Sequence, residues 1–212
     1  MKALIIGATG ATGKDLVQVL LQDPDYTAVV IFVRRSGGII HPKLTEIITD
    51  FDKPEAVSTH IKGDVLFCCL GTTLKAAGSK EKQLHIDYEI PLQFAEIARR
   101  NGITKVVLLS AYGASATSNV FYSKLKGRLE EGINALAFDQ YIIFRPGLLL
   151  RKDTDRFGER IMASLLKLVN TLGLFKKFRA MPTLILAKKM AKAAKVFTAG
   201  KQVVALDGIF AV

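Results

Sequence analysis

Leu4-Ile5-Ile6-Gly7-Ala8-Thr9-Gly10-Ala11-Thr12-Gly13-Lys14 is the stretch whose reading decides the fold. A short apolar run, Ala3 to Ile6, enters three glycines spaced by three, and a helical pattern follows. A strand, turn and helix of this kind lay a pyrophosphate against a helix N-terminus. Gly7 permits the tight turn, Gly10 lets the main chain approach phosphates, and Gly13 lets the helix pack closely on the strand. Thr9, Ala11 and Thr12 complete the expected cofactor-facing loop. A phosphate-binding loop of the NTPase type needs Gly, four residues, then Gly-Lys-Ser/Thr. Here Asp15 follows Gly13-Lys14 and Ala8 stands at the first glycine position, so that reading fails. A purely structural glycine-rich turn is the competing explanation.

Working outward, short apolar runs alternate with helical patterns. Ala3–Ile6, Ala28–Val33, Leu44–Thr49, Val65–Leu70, Val106–Ser110 and Tyr141–Arg145 read as strands, and Val203–Leu206 supplies a last one. Strands apolar on both faces belong to a parallel sheet covered on each side. Helices are expected over Gly13–Gln22, over Lys80–Arg100 with Asn101-Gly102 as its exit, over Ser118–Leu136, and from Pro182 to about Thr198. Pro91 is expected to kink the second of these. The rhythm predicts an α/β fold, a doubly wound parallel sheet of the Rossmann NAD(P)-binding type. The chain of 212 residues reads as one domain over 1–212, with 148–200 as a small, basic, helical lobe on the substrate side.

The formal net charge of +11 is unevenly placed: residues 151–201 carry 13 of the 30 Lys/Arg and 3 of the 19 Asp/Glu. The nucleotide-binding body is therefore nearly neutral. Within the basic segment, Ile161, Met162, Leu165, Leu166, Leu168 and Val169 recur at helical spacing. A packed amphipathic helix with a solvated basic face competes there with a substrate lid and with contact to an anionic membrane surface. Charge without a recognition motif or interleaved aromatics does not support nucleic-acid binding. Cys68 and Cys69 are adjacent in a strand pattern and read as reduced thiols. No metal-ligand spacing occurs, and His41 and His60 lie in polar turns. No apolar stretch reaches the length of a membrane span and no secretory leader is evident, from which a cytoplasmic protein is expected. Oligomeric state is not legible.

Cofactor choice is read at the end of the second strand, where an acidic side chain meets the 2′-hydroxyl of NAD and arginines accommodate a 2′-phosphate. The chain has Phe32-Val33-Arg34-Arg35-Ser36 and no acidic residue until Glu46, which favours NADP(H). Solvated loop arginines are the alternative. Downstream, Ser110 ends a strand twelve residues before Tyr122, and Lys126 follows Tyr122 by one helical turn. An ammonium so placed favours the phenolate, and the phenol can exchange a proton with a substrate oxygen as hydride moves at the adjoining carbon. Ser110 is suited to hydrogen-bond that oxygen, and Lys126 to hold ribose hydroxyls.

Gly7-Ala8-Thr9-Gly10-Ala11-Thr12-Gly13, Ser110, Tyr122-x-x-x-Lys126 and Arg145-Pro146-Gly147 together resemble the atypical, NmrA-like short-chain dehydrogenase/reductases. The resemblance is strongest to the branch of the HIV Tat-interacting-protein oxidoreductase. It is carried by Cys68-Cys69-Leu70-Gly71-Thr72-Thr73, Leu108-Leu109-Ser110-Ala111-Tyr112-Gly113-Ala114, Ser118-Asn119-Val120-Phe121-Tyr122 and Phe144-Arg145-Pro146-Gly147. It implies NADP(H) as cofactor and Ser110, Tyr122 and Lys126 as the catalytic triad. It further implies that Leu70, Gly71 and Thr72 line the cofactor and that Pro146 and Gly147 flank the nicotinamide. The expected function is NADPH-dependent reduction of a small carbonyl compound, or oxidation of the hydroxyl. The alternative is a regulatory protein that senses the redox state of NADP(H) with little turnover.

Overall fold

A computed structural model of the chain describes residues 1–150 and 180–212. Its centre is a seven-stranded, wholly parallel sheet. The strands are β1 (Lys2–Ile6), β2 (Ala28–Val33), β3 (Leu44–Ile48), β4 (Val65–Cys68), β5 (Lys105–Leu109), β6 (Gln140–Arg145) and β9 (Gly200–Ala205). They lie in the order β3-β2-β1-β4-β5-β6-β9, and a two-stranded piece pairs β7 (Leu149–Leu150) with β8 (Met181–Pro182). The order reverses between β1 and β4, the switch point at which open α/β sheets take ligands. The expected Rossmann-type α/β fold is therefore the one observed.

Each strand feeds both layers because successive side chains alternate. Ala3, Ile5, Ile31, Phe67, Ile142 and Phe144 face Leu16, Val17 and Leu20 of α1 (Ala11–Gln22) and Leu186, Ala187 and Met190 of α6 (Thr183–Val196). Leu4, Ile6, Phe32, Leu66, Leu108 and Ile143 face Phe94, Ala95 and Ala98 of α4 (Ile90–Arg100) and Leu129 and Ile133 of α5 (Phe121–Ala135). The remaining α-helices among the described residues are short: α2 (Leu74–Ala77), α3 (Lys80–Leu84) and α7 (Gly208–Ala211).

The long helix expected over 80–100 is divided. A π-turn over His85–Glu89 joins α3 to α4, and the Ile90 N–H reaches back to His85 O. Pro91 explains the change, since it supplies no N–H and its ring crowds the carbonyl four residues earlier. Gly102 closes α4 at φ 87, as the Asn101-Gly102 exit requires. Helix α5 begins at Phe121 rather than Ser118, because the Ser118 hydroxyl accepts from the Val120 N–H and holds that segment as a turn. Of the segment 148–200, the described part comprises β7, β8 and α6, and α6 packs beside α1. Residues 151–179, with the apolar pattern from Ile161 to Val169 and most of the expected basic lobe, lie outside the described residues. Two described lysines of α6 are spent internally. Lys195 Nζ is 2.7 Å from both Asp23 and Asp25 carboxylates, and Lys189 Nζ donates to the carbonyls of Phe210 and Val212.

Gly127 in α5 is a packing requirement that the sequence does not advertise. A Cβ there would lie 2.1 Å from Ser115 C and 2.2 Å from Ala116 N, so the helix rests on the backbone leading from β5 to Tyr122. Gly127→Ala is expected to lower stability by about 1–3 kcal/mol as an overpacked site, despite alanine's better helix propensity. Urea unfolding checks this, and an unchanged or raised midpoint would contradict the packing.

Candidate active site

The site begins where β1 turns into α1. Gly7 has φ +80, and a Cβ on it would come within 2.4 Å of Leu70 N. A Cβ on Gly13 would come within 2.1 Å of Gly7 O, so both glycines are fixed by backbone crowding. The Gly10 N–H donates to Gly7 O at 3.0 Å. Gly10 caps α1 without a side-chain hydrogen bond, and the first turn holds no acidic residue. Thr9, Gly10 and Ala11 are exposed, while Thr12 and Gly13 are buried. An uncapped, neutral, accessible helix start fits a pyrophosphate. Asp15, the residue that spoils the NTPase motif, accepts a 2.6 Å hydrogen bond from the Thr183 hydroxyl.

The neighbouring loops converge from the same end of the sheet. Leu70, Gly71 and Thr72 leave β4, and the Thr72 N–H donates to Asp87 Oδ1 at 2.6 Å. Pro146 and Gly147 follow β6, and the Pro146 carbonyl accepts from the Tyr112 N–H at 2.9 Å. Arg34 and Arg35 are exposed just beyond β2, three strands from β5 in the sheet and so apart from Ser110. Glu46, the first acidic residue after them, accepts from Ser36 Oγ at 2.5 Å and from the Gly37 N–H at 3.2 Å. That carboxylate is committed to the loop.

Tyr122 and Lys126 stand one turn apart on α5, with Lys126 Nζ 6.0 Å from the centre of the Tyr122 ring. Tyr122 is 40% exposed and Lys126 only 3%. A Cβ added at Gly71 would lie 3.6 Å from Lys126 Nζ and 3.8 Å from Asp87 Oδ1, so the glycine loop, the ammonium and this carboxylate meet. Asp87 is fully buried, and its Oδ2 is a buried oxygen with no hydrogen-bond partner among the described residues. Burial pushes the Asp87 carboxyl up, against the pull of Lys126, the Thr72 N–H and the Gln83 side chain. Ser110, just after β5, is buried, and its hydroxyl donates to Glu130 Oε1 at 2.5 Å. Asp87 and Glu130 were not expected as site residues. Glu130 follows Lys126 by a further four residues, a spacing that offered a signal, whereas nothing local marks Asp87 as buried. Cys68 and Cys69 are free thiols, both pushed up by burial.

A model of the family described as NAD(P)H-binding matches residues 7–167, from the first glycine of the loop onward. The chain belongs to the NAD(P)H-binding family. Among curated proteins it is 37% identical over 165 residues to "Protein fmp52, mitochondrial" of Emericella nidulans, covering 74% of this chain and 71% of that protein. It is 35% identical over 160 residues to the HTATIP2 protein of Rattus norvegicus, covering 73% and 66%. The resemblance to the Tat-interacting-protein branch thus holds. Among solved structures, a short-chain dehydrogenase/reductase superfamily protein of Agrobacterium tumefaciens with bound NAD superposes with a TM-score of 0.74 at 15% identity, over 97% of this chain and 77% of that one. MoeE5 in complex with UDP-glucose and NAD gives 0.74 at 16%, over 97% and 76%. At such identities the two structures speak for the fold alone.

The comparisons correct one expectation. Relatives from four fungi carry the name "mitochondrial", which points away from a purely cytoplasmic protein. Compartment is set by address signals that the length of apolar runs does not report. No helix among the described residues is long and apolar enough to cross a membrane.

On the π-turn of this NAD(P)H-binding chain, His85 is gripped from two sides. Its Nδ1 is 2.7 Å from Glu89 Oε2 and its Nε2 2.8 Å from Asp52 Oδ1. The two carboxylates push the imidazole above its usual 6.5, outweighing its partial burial. A raised folded value means stabilisation fully present below 6.5 and lost as pH rises through the folded value. His85→Gln is therefore expected to cost most near pH 5.5 and progressively less toward pH 9, by about 0.5 kcal/mol or less, because the ring is partly solvated. Urea unfolding of both proteins across that range checks the sign. A gap that widens with pH would contradict the clamp.

Proposed function

We propose that this protein is an NADP(H)-dependent oxidoreductase acting on the carbonyl or hydroxyl group of a small molecule. The observation that carries the reading is the partly exposed Tyr122 phenol on the same face of α5 as the buried Lys126 ammonium, beside the Gly71 loop. Bound NADPH would supply a hydride to the carbonyl carbon and leave as NADP⁺. Tyr122 gives its phenolic proton to the oxygen, and solvent restores it. Lys126 stabilises the phenolate left behind. The uncapped start of α1 takes the pyrophosphate, with Gly7, Thr9, Gly10, Ala11, Thr12 and Gly13 shaping the approach. Leu70, Gly71, Thr72, Pro146 and Gly147 border the cofactor from the adjoining loops. Arg34 and Arg35 take the 2′-phosphate, a reading supported by the commitment of Glu46 to Ser36 and Gly37. In the same reading, 148–200 belongs to the single domain and borders the substrate.

Two measurements test this. Tyr122→Phe is expected to lower carbonyl-dependent NADPH oxidation by about 100-fold or more, with NADPH affinity nearly unchanged. Equal turnover by the variant would overturn the assignment of Tyr122. Arg34→Ala combined with Arg35→Ala is expected to weaken NADPH binding by about 10- to 100-fold, with NADH binding little altered. Equal losses for both nucleotides would overturn the 2′-phosphate assignment. NADPH binding without turnover on any carbonyl of a broad panel would favour the redox-sensing reading.

A further inference from the structure

Helix α5 carries a third polar residue in line with Tyr122 and Lys126. Glu130 lies one more turn along and is only 4% exposed, a burial that a carboxylate tolerates when it is paired. Its pairing is complete. Arg145, the last residue of β6, donates from Nε to Oε1 at 3.0 Å and from Nη2 to Oε2 at 2.5 Å. The Ser110 hydroxyl donates to Oε1 at 2.5 Å, and the buried Tyr141 hydroxyl donates to the Glu130 backbone carbonyl at 3.2 Å. Three elements, β5, β6 and α5, are thereby joined through one side chain.

The consequence for Ser110 follows from proton counting. A serine hydroxyl has one proton and two acceptor lone pairs. The Ser110 proton is committed to a carboxylate held by a guanidinium that is always charged, so Ser110 offers lone pairs to anything else that meets it. We infer that Glu130, anchored by Arg145, is a positioning residue that fixes Ser110 as a hydrogen-bond acceptor in the Tyr122–Lys126 site. The inference rests on the reaction proposed above and gives Ser110 a role other than the expected one. Ser110 receives a hydrogen bond from a hydroxyl, whether the Tyr122 phenol or the alcohol form of the substrate, and does not polarise a carbonyl by donation. Arg145, expected only as part of a family motif, acts through Glu130.

The test is a double-mutant cycle in the full chain, comparing Glu130→Leu, Ser110→Ala and the double variant, with urea unfolding recorded for each. Glu130→Leu is expected to lower kcat about tenfold without changing NADPH affinity. The same substitution in the Ser110→Ala background is expected to add no further loss of kcat. Glu130→Gln, which keeps an acceptor for the Ser110 proton, is expected to recover most of the activity even though it gives up the charge facing Arg145. Losses that multiply across the cycle, or that merely track stability, would overturn the inference by making Glu130 a structural anchor. A second readout does not need turnover. The Ser110 hydroxyl proton, buried and donated to a carboxylate, should appear as a slowly exchanging downfield resonance that Ser110→Ala removes and Glu130→Gln shifts. Absence of that resonance from the wild type overturns the inference. Its presence in a protein that oxidises no NADPH upholds the clamp while overturning the proposed reaction.

Discussion

Everything at the candidate site depends on how closely three pieces of backbone approach one another at the end of β1. The Gly7 α-carbon abuts the Cys69–Leu70 peptide, and Gly13 abuts the Gly7 carbonyl, each closer than any Cβ would allow. The Cys69 N–H also donates to Ile6 O at 3.0 Å, which ties the end of β4 to the end of β1. With that contact made, the start of α1 and the Leu70–Thr72 loop are brought side by side at the switch point of the sheet. A larger residue at either glycine would part them by the width of a methyl group. The cost would fall on the relative position of the start of α1 and the Leu70–Thr72 loop.

From this fixed corner, α5 acts as a ruler. Its buried positions Leu125, Leu129 and Ile133 seat it on the sheet, and Gly127 lets it settle on the Ser115–Ala116 backbone. Arg128 stacks 4.7 Å from the centre of the Tyr88 ring, which sets the helix against the π-turn. The depth of the seat decides what each polar residue of the stripe meets. Tyr122 reaches solvent, Lys126 is enclosed beside Gly71, and Glu130 lies deep enough to join Ser110 to Arg145. The face passes from solvent to interior within one turn, between Tyr122 and Lys126, and stays buried at Glu130.

The fold was legible because short, continuous apolar runs and glycine turns are local signals. Val65, Leu66, Phe67 and Cys68 are apolar on both faces, and only a parallel sheet covered on each side accommodates that. Tyr122 and Lys126 were legible as a pair for a similar reason, since a four-residue spacing is enough to align them. What was missed concerns partners distant in sequence. Glu130 meets Ser110 twenty residues away and Arg145 fifteen away, and no local pattern reveals which way a serine hydroxyl turns. The π-turn was also hidden. Pro91 announced a disturbance, but its form depends on how α4 packs on the sheet. The compartment was misread because composition reports passage through membranes and carries no address.

Lys126 and Asp87 pose the sharper electrostatic question. An ammonium that is nearly fully buried costs free energy unless an anion stands close, and Asp87 supplies one across Gly71. The carboxylate is itself fully buried, with one oxygen held by the Thr72 N–H and the other without a partner among the described residues. Burial holds its proton more tightly than in water, against the pull of Lys126, the Thr72 N–H and the Gln83 side chain. The same carboxylate accepts from the Thr72 N–H and stands beside the Lys126 ammonium, so one buried side chain ties the Leu70–Thr72 loop to the face of α5 that carries Lys126.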